Sequence, residues 1–225
     1  MALRVVLVHM DHGTPGGFAD RTEAGRRLGE ALVERGLETD LVLAVPRGGL
    51  PVGRAVADAL GVPLDVVVSS KVGAPGNPEL AIGAVASDGS AWLDEETIEA
   101  LGVDPEYVSR EREREAEAAR GKAERYRTDG PPDVSGRAVT VVDDGAATGA
   151  TAIAAVRLLR ARGAARIVVA LPVAPPGTVT ELERVADEVV CLLTPASFGA
   201  VGRFYRRFDQ VSDEEAIAYL REEGP

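Results

Sequence analysis

The stretch Val139-Thr140-Val141-Val142-Asp143-Asp144-Gly145-Ala146-Ala147-Thr148-Gly149-Ala150-Thr151 sets two consecutive acids at the end of an apolar, β-branched run and follows them with a loop of small residues. Carboxylates at the tip of a buried strand need partners, because an unpaired desolvated charge is far too costly. Sugar hydroxyls, the water shell of a magnesium ion, or a nearby cation suit them. Gly145 and Gly149 permit backbone angles and close approaches denied to larger residues, while Thr148 and Thr151 add hydroxyl donors. The helix this loop enters turns unpaired N–H groups and the positive end of its dipole toward an anion. A phosphate loop beside paired acids points to a phosphorylated sugar. Other phosphate motifs do not fit: no Lys precedes the Thr as in G-x-x-x-x-G-K-[ST], and the glycines do not spell G-x-G-x-x-G. A phosphosugar hydrolase with Asp143 as nucleophile would want an Asp-x-Asp spacing, and a bare strand-to-helix turn has little use for two consecutive acids.

Two more loops carry chemistry. Val45-Pro46-Arg47-Gly48-Gly49-Leu50-Pro51 follows an apolar run and opens a helix, with Pro51 suited to the first turn and Arg47 offering a forked donor to an anion. Ser69-Ser70-Lys71-Val72-Gly73-Ala74-Pro75-Gly76-Asn77-Pro78-Glu79 is rich in Gly and Pro and reads as a mobile loop bearing a cation, Lys71. The tail from Thr194 gathers Phe198, Phe204, Tyr205 and Phe208, four of nine aromatics in the chain, and Phe198, Phe204 and Tyr205 are the expected acceptor pocket, with core packing the alternative. His9-Met10-Asp11-His12 contains metal-ligating types but has no further His to join it, so it reads as a mobile N-terminal segment.

The elements that must hold these loops alternate along the chain. Leu41–Val45, Leu64–Val68, Val139–Val142, Ile167–Leu171 and Val189–Leu193 are near-continuous apolar runs, as strands buried on both faces are. Ala19–Arg35, Leu50–Leu60, Ala150–Arg162 and Thr178–Ala186 have helical spacing, and Gly36, Gly61 and Gly163 stand where helices end. The pattern predicts an α/β fold, a doubly wound, mainly parallel sheet flanked by helices, which binds ligands beyond the C-terminal ends of its strands. A single domain over 1–225 is expected, with its core at about 19–90 and 134–193, a helical insertion at about 92–130, and hood segments at 1–18 and 194–225. Asp104–Arg127 reads as a charged, solvated helix, or alternatively as a subunit contact or lid. Ser212-Asp213-Glu214-Glu215 opens a last helix with a capping box.

Charge and composition restrict the partners. The 36 acidic against 25 basic residues give −11, a balance that repels nucleic acid and anionic lipid. Val5–Val8 is too short for a signal-peptide core, and no run reaches the about 18 apolar residues of a membrane span. One cysteine, Cys191, excludes an intrachain disulfide and fits a cytoplasmic setting as a buried core residue. Only Lys71 and Lys122 among the basic residues are lysines.

The 139–151 segment closely resembles the 5-phosphoribosyl 1-diphosphate (PRPP) signature of the type I phosphoribosyltransferases. Val45–Pro51 is similar to that family's diphosphate loop and Ser69–Glu79 to its flexible catalytic loop, in the same order along the chain. Phe18–Gly25 and Phe198–Tyr205 resemble a bacterial and archaeal branch of it. The resemblance implies Mg²⁺-dependent transfer of phosphoribose from PRPP to a nucleobase or related amine, with homodimerisation. In that reading Asp143 and Asp144 hold the ribose hydroxyls and, through ribose or water, the metal. Gly145, Ala146, Ala147, Thr148, Gly149, Ala150 and Thr151 bind the 5′-phosphate, and Arg47, Gly48, Gly49 and Lys71 attend the diphosphate. Ala147 departs from the Asp that contacts the base in enzymes of 6-oxopurines, which argues against guanine or hypoxanthine. A regulator that binds PRPP or a nucleotide without transferring anything is the other reading.

Overall fold

A computed structural model describes residues 6–7, 17–126 and 131–221. Six parallel strands form the main sheet: β1 (Val6–Leu7), β2 (Leu41–Ala44), β3 (Leu64–Val66), β7 (Ala138–Val142), β8 (Arg166–Val173) and β9 (Glu188–Leu193). Their order across the sheet is β1-β9-β8-β7-β2-β3, so β7 and β2 lie side by side with Val142 opposite Ala44. Their loops, the acid-and-glycine loop after β7 and the Arg47 loop after β2, therefore emerge together at one edge. That adjacency is the basis of the site.

Helices cover both faces, which is why these strands read as unbroken apolar runs. Residues alternating along the strands send Leu41, Leu43, Val139, Val141, Ile167 and Val169 against α5 (Ala150–Ala161) and α6 (Pro176–Glu183). Val42, Val142, Val168 and Ala170 face the other way, against α1 (Arg21–Glu34) and α2 (Gly49–Leu60). Asp20 starts α1 by accepting the Glu23 N–H at 2.9 Å, and Gly61, at φ 67°, ends α2 in the left-handed conformation only glycine adopts cheaply. The expected capping box is present: Ser212 and Glu215 satisfy each other's backbone N–H groups at the start of α7 (Asp213–Leu220).

The Ser69–Glu79 segment is not a loop. It forms β4 (Ser69–Ala74) and the start of β5 (Asn77–Ala86), joined by a tight turn through Pro75 and Gly76 and continued by β6 (Ala91–Leu93) into a three-stranded antiparallel sheet. Ser70, Val72 and Ala74 alternate as buried positions, and Val72, Ala74, Ile82 and Val85 pack against α3 (Glu95–Ala100) and α4 (Pro105–Ala123). Burial of that face orders the segment in spite of its Gly and Pro content. The 92–130 stretch accordingly begins as strand and continues as α3 and α4. The His9–His12 segment lies outside the described residues, as does most of the 1–18 hood. Among the described residues no helix is long and apolar enough to cross a membrane. Cys191 is buried, its thiol pushed up to about 12 by desolvation, and it accordingly behaves as a core residue.

Candidate active site

Asp143 and Asp144 follow the last residue of β7. Asp143 Oδ1 accepts the Asp144 backbone N–H at 2.8 Å, and Asp144 Oδ2 accepts from Arg21 Nε at 2.7 Å in a pair whose side chains are only 12% and 13% exposed. Arg21 stands in the first turn of α1, its guanidinium 3.8 Å from the centre of the Phe208 ring and its other arm donating to the Asp209 carbonyl at 2.7 Å. Tyr205, packed between Phe18 and Phe208, donates its hydroxyl to the Asp144 carbonyl. Tyr205→Phe leaves that carbonyl without its donor, and is expected to cost about 1 kcal/mol, read as a melting temperature lower by about 2–4 °C.

Burial, and then the Asp144 charge beside it, holds the Asp143 carboxyl well above the usual carboxylate range. Burial also raises Asp144, against the opposing pull of Arg21. The folded chain thus keeps protons at a pH where the unfolded chain has released them. The stability this confers is complete below the ordinary value of 3.8 and is lost as pH rises through the raised values. Thermal unfolding of the wild type against the Asp143→Asn, Asp144→Asn double variant should show the wild type losing ground steadily from acid to neutral pH. A difference that does not vary with pH would contradict the raised carboxyls.

The 145–151 loop is anchored from outside. Ala146 donates to the Val173 carbonyl at 3.0 Å, and Thr178 Oγ1 donates to the Ala147 carbonyl at 2.6 Å. Gly149 caps α5 at φ 72°, and an added Cβ there would meet Thr178 Cγ2 at 2.9 Å. Ala147, Thr148, Ala150 and Thr151 are exposed around the helix N-terminus, with Gly145, Ala146 and Gly149 buried beneath. In the neighbouring loop the Pro46–Arg47 peptide bond is cis. A Cβ on Gly48 would lie 2.2 Å from Asp144 Oδ2, and one on Gly49 2.8 Å from the Val142 carbonyl oxygen, so both glycines let the two loops touch. Arg47 Nη1 is 3.3 Å from Asp213 Oδ1 at the start of α7, and Arg125 reaches the other Asp213 oxygen at 3.5 Å.

A family model, phosphoribosyl transferase domain, matches residues 21–206. The chain belongs to the phosphoribosyltransferase family. "Putative phosphoribosyl transferase Rv0571c" of Mycobacterium tuberculosis H37Rv is 43% identical over 205 residues, covering 90% of this chain and 46% of that protein. A CDC 1551 strain counterpart, "Putative phosphoribosyl transferase MT0597", matches equally. The chain thus spans about half the length of these curated relatives. The crystal structure of TT1426 from Thermus thermophilus is 45% identical, covers 93% of this chain and 100% of that one, and superposes with a TM-score of 0.86.

In this phosphoribosyltransferase a cleft of about 620 Å³ is lined from all three expected loops, with Pro46, Lys71 and Thr151 among its residues, while Asp143, Asp144, Arg47, Gly48 and Gly49 stand outside its lining. Lys71 reaches it from β4. Phe198, Phe204 and Tyr205 do not line that cleft: they belong to the apolar cluster on the α1–α2 face, with Phe198 and Phe204 stacked at 5.3 Å, and Tyr205 supports Asp144 from beneath. Arg21 and Asp213 are the charged partners that sequence reasoning did not assign. Arg21 stands in the Phe18–Gly25 segment, whose likeness to the family branch was the only signal available, and its partner lies 123 residues away. The two adjacent carboxylates are hard oxygen donors of the kind magnesium takes, and the missing side chain at Gly48 leaves Asp144 Oδ2 its place beside the Arg47 loop. No group of three or more His, Cys, Asp or Glu gathers among the described residues, so substrate oxygens and water would complete the shell.

Proposed function

We propose that the chain is a Mg²⁺-dependent phosphoribosyltransferase that moves 5-phosphoribose from PRPP to a small nitrogenous acceptor, a nucleobase or related amine. The observation that carries this reading is the contact between the two loops: the Asp143–Asp144 pair, pinned by Arg21 and Tyr205, abuts Gly48 at the head of the Arg47 loop. Nothing but glycine at 48 would allow a sugar-binding acid and a diphosphate-binding turn so close.

In this mechanism the exposed N-terminus of α5, with Thr148 and Thr151, takes the 5′-phosphate. Asp143 and Asp144 accept hydrogen bonds from the ribose hydroxyls and set a negative field under the anomeric carbon, which favours the positive charge that develops there. The acceptor nitrogen's lone pair forms the new bond to C1 as the C1–O bond breaks, its electron pair leaving on the diphosphate; the nitrogen's proton passes to solvent. Arg47, the Gly48 and Gly49 backbone and Lys71 hold the departing anion. Asp143 and Asp144, through ribose or water, would help substrate oxygens hold magnesium, which would neutralise diphosphate charge. Most of the rate comes from positioning and electrostatics rather than from covalent chemistry by the protein.

Calorimetry of PRPP with Mg²⁺, and diphosphate release against a panel of nucleobases and small amines, test the reading on one sample. Acceptor-dependent release establishes transfer and identifies the acceptor class. Tight binding with no release from any acceptor makes the chain a PRPP-binding regulator, and absence of binding removes PRPP as its ligand.

A further inference from the structure

The cleft has a fourth wall that none of the three expected loops supplies. Helix α4 lays Tyr107, Glu111, Arg114, Glu115 and Lys122 along it. Their spacing of three, four and seven residues puts them on one stripe of the helix, running about 22 Å along its axis at 1.5 Å per residue. The adjoining stripe, Val108, Ala116, Ala119 and Ala123, about a quarter turn away, is buried. Ala119 and Ala123 pack with Leu50, Val66 and Val68, beside the Arg47 loop and β3. Tyr107 donates its hydroxyl to the Gly73 carbonyl of β4 at 3.1 Å, tying the other end of the helix to the strand that carries Lys71. α4 thus borders the cleft with Tyr107, Glu111 and Glu115 half-buried, while Arg114 and Lys122 reach it from exposed positions.

Within that stripe the charges sort themselves. Glu111 and Glu115 are both taken by Arg114, at 2.7 and 2.9 Å. Lys122 meets a neutral group instead, its Nζ 3.5 Å from Ser70 Oγ, one residue before Lys71. Its charge thus remains available to an anion. The two lysines of the chain come from segments fifty residues apart and line the same cleft, where a compact ammonium can approach a terminal phosphate without the planar fork of an arginine.

We infer that Lys122, delivered by the α4 insertion, is a third cation for the diphosphate end of PRPP, beside Arg47 and Lys71. The inference rests on the PRPP reading above and adds a residue to it. As the C1–O bond breaks and its electron pair goes to the diphosphate, Lys122 donates hydrogen bonds to that anion and keeps its own proton. Because the helix, and not a loop, carries it, Lys122 is in place before substrate arrives, whereas the 5′-phosphate is bound on the far loop by α5.

The test compares wild type, Lys122→Met and Lys122→Arg by calorimetry with three probes: PRPP with Mg²⁺, inorganic diphosphate with Mg²⁺, and ribose 5-phosphate. Lys122→Met should weaken PRPP and diphosphate about tenfold, the loss of one charge-assisted contact, and leave ribose 5-phosphate within about twofold; Lys122→Arg should recover most of the loss. Unchanged diphosphate binding in Lys122→Met overturns the inference while leaving the PRPP reading standing, and so does equal weakening of all three probes. A wild type that binds neither PRPP nor diphosphate overturns both.

Discussion

Asp143→Asn is expected to abolish most transfer while making the unliganded protein more stable. Asp143 is strongly disfavoured as an anion in the folded chain, first by burial and then by Asp144 next to it. Asparagine keeps the carbonyl oxygen that accepts the Asp144 N–H at 2.8 Å and removes the charge. It thereby relieves the repulsion and frees the Arg21–Asp144 pair to act alone. At neutral pH the melting temperature should hold or rise by about 2–4 °C, the size of a 1 kcal/mol change in a chain of this length. Diphosphate release should fall by about 10²–10³, comparable to removing one preorganised electrostatic group from a transition-state site. The combination is diagnostic, because a residue kept for its charge at a cost to stability is a functional one. A variant that melts lower and retains wild-type turnover would show that Asp143 is structural.

How far this site could be read from sequence depended on the range of the interactions involved. The parallel core was legible because strands covered on both faces show as unbroken apolar runs, and because Gly36, Gly61 and Gly163 mark helix ends with positive φ angles of 63°, 67° and 83°. The acids after β7 and the glycines after β2 were legible because each loop's chemistry is local. The β4–β5 hairpin was not. Its buried positions Ser70, Val72 and Ala74 are small, so the alternation that marks a strand is faint, and Gly73, Pro75 and Gly76 look like loop until the face that α4 covers is known. The charged residues of α4 are mostly exposed, as its composition suggests, but the cleft that one edge of the helix borders is formed only by tertiary contact. Arg21 and Asp144 are joined across 123 residues, and Arg47 and Asp213 across 166, distances over which no spacing rule operates. Fold-level pattern therefore came from periodicity, while the charge partners that tune the site came only from tertiary contact.

Gly48→Ala tests the contact between loops directly. Gly48 has φ −59° and ψ −33°, angles that alanine adopts freely, so the substitution asks nothing of the backbone. What it adds is a methyl group 2.2 Å from Asp144 Oδ2 and 2.8 Å from its Cγ. Asp144 cannot swing clear at low cost, since Arg21 holds that oxygen at 2.7 Å in a pair only 12% and 13% exposed. The carboxylate or the Arg47 loop must shift by the better part of an ångström, and a displacement of that size among reacting groups costs about 10²-fold in rate. Gly49→Ala is the informative neighbour: its Cβ meets the Val142 carbonyl oxygen at 2.8 Å and Asp143 Cα at 3.1 Å, backbone atoms of the central strand and its end, so the loss there falls first on stability. Gly121→Ala, near the end of α4 with nothing within 4 Å of the new methyl, should be neutral or stabilise by about 0.5–1 kcal/mol. Measured together by thermal unfolding and diphosphate release, the three variants separate the effects: Gly48→Ala loses activity with a modest fall in melting temperature, Gly49→Ala loses stability first, and Gly121→Ala loses neither. Full activity in Gly48→Ala would mean that Asp144 and the Arg47 loop need not meet for the reaction, and the proposed site would have to be redrawn without one of them.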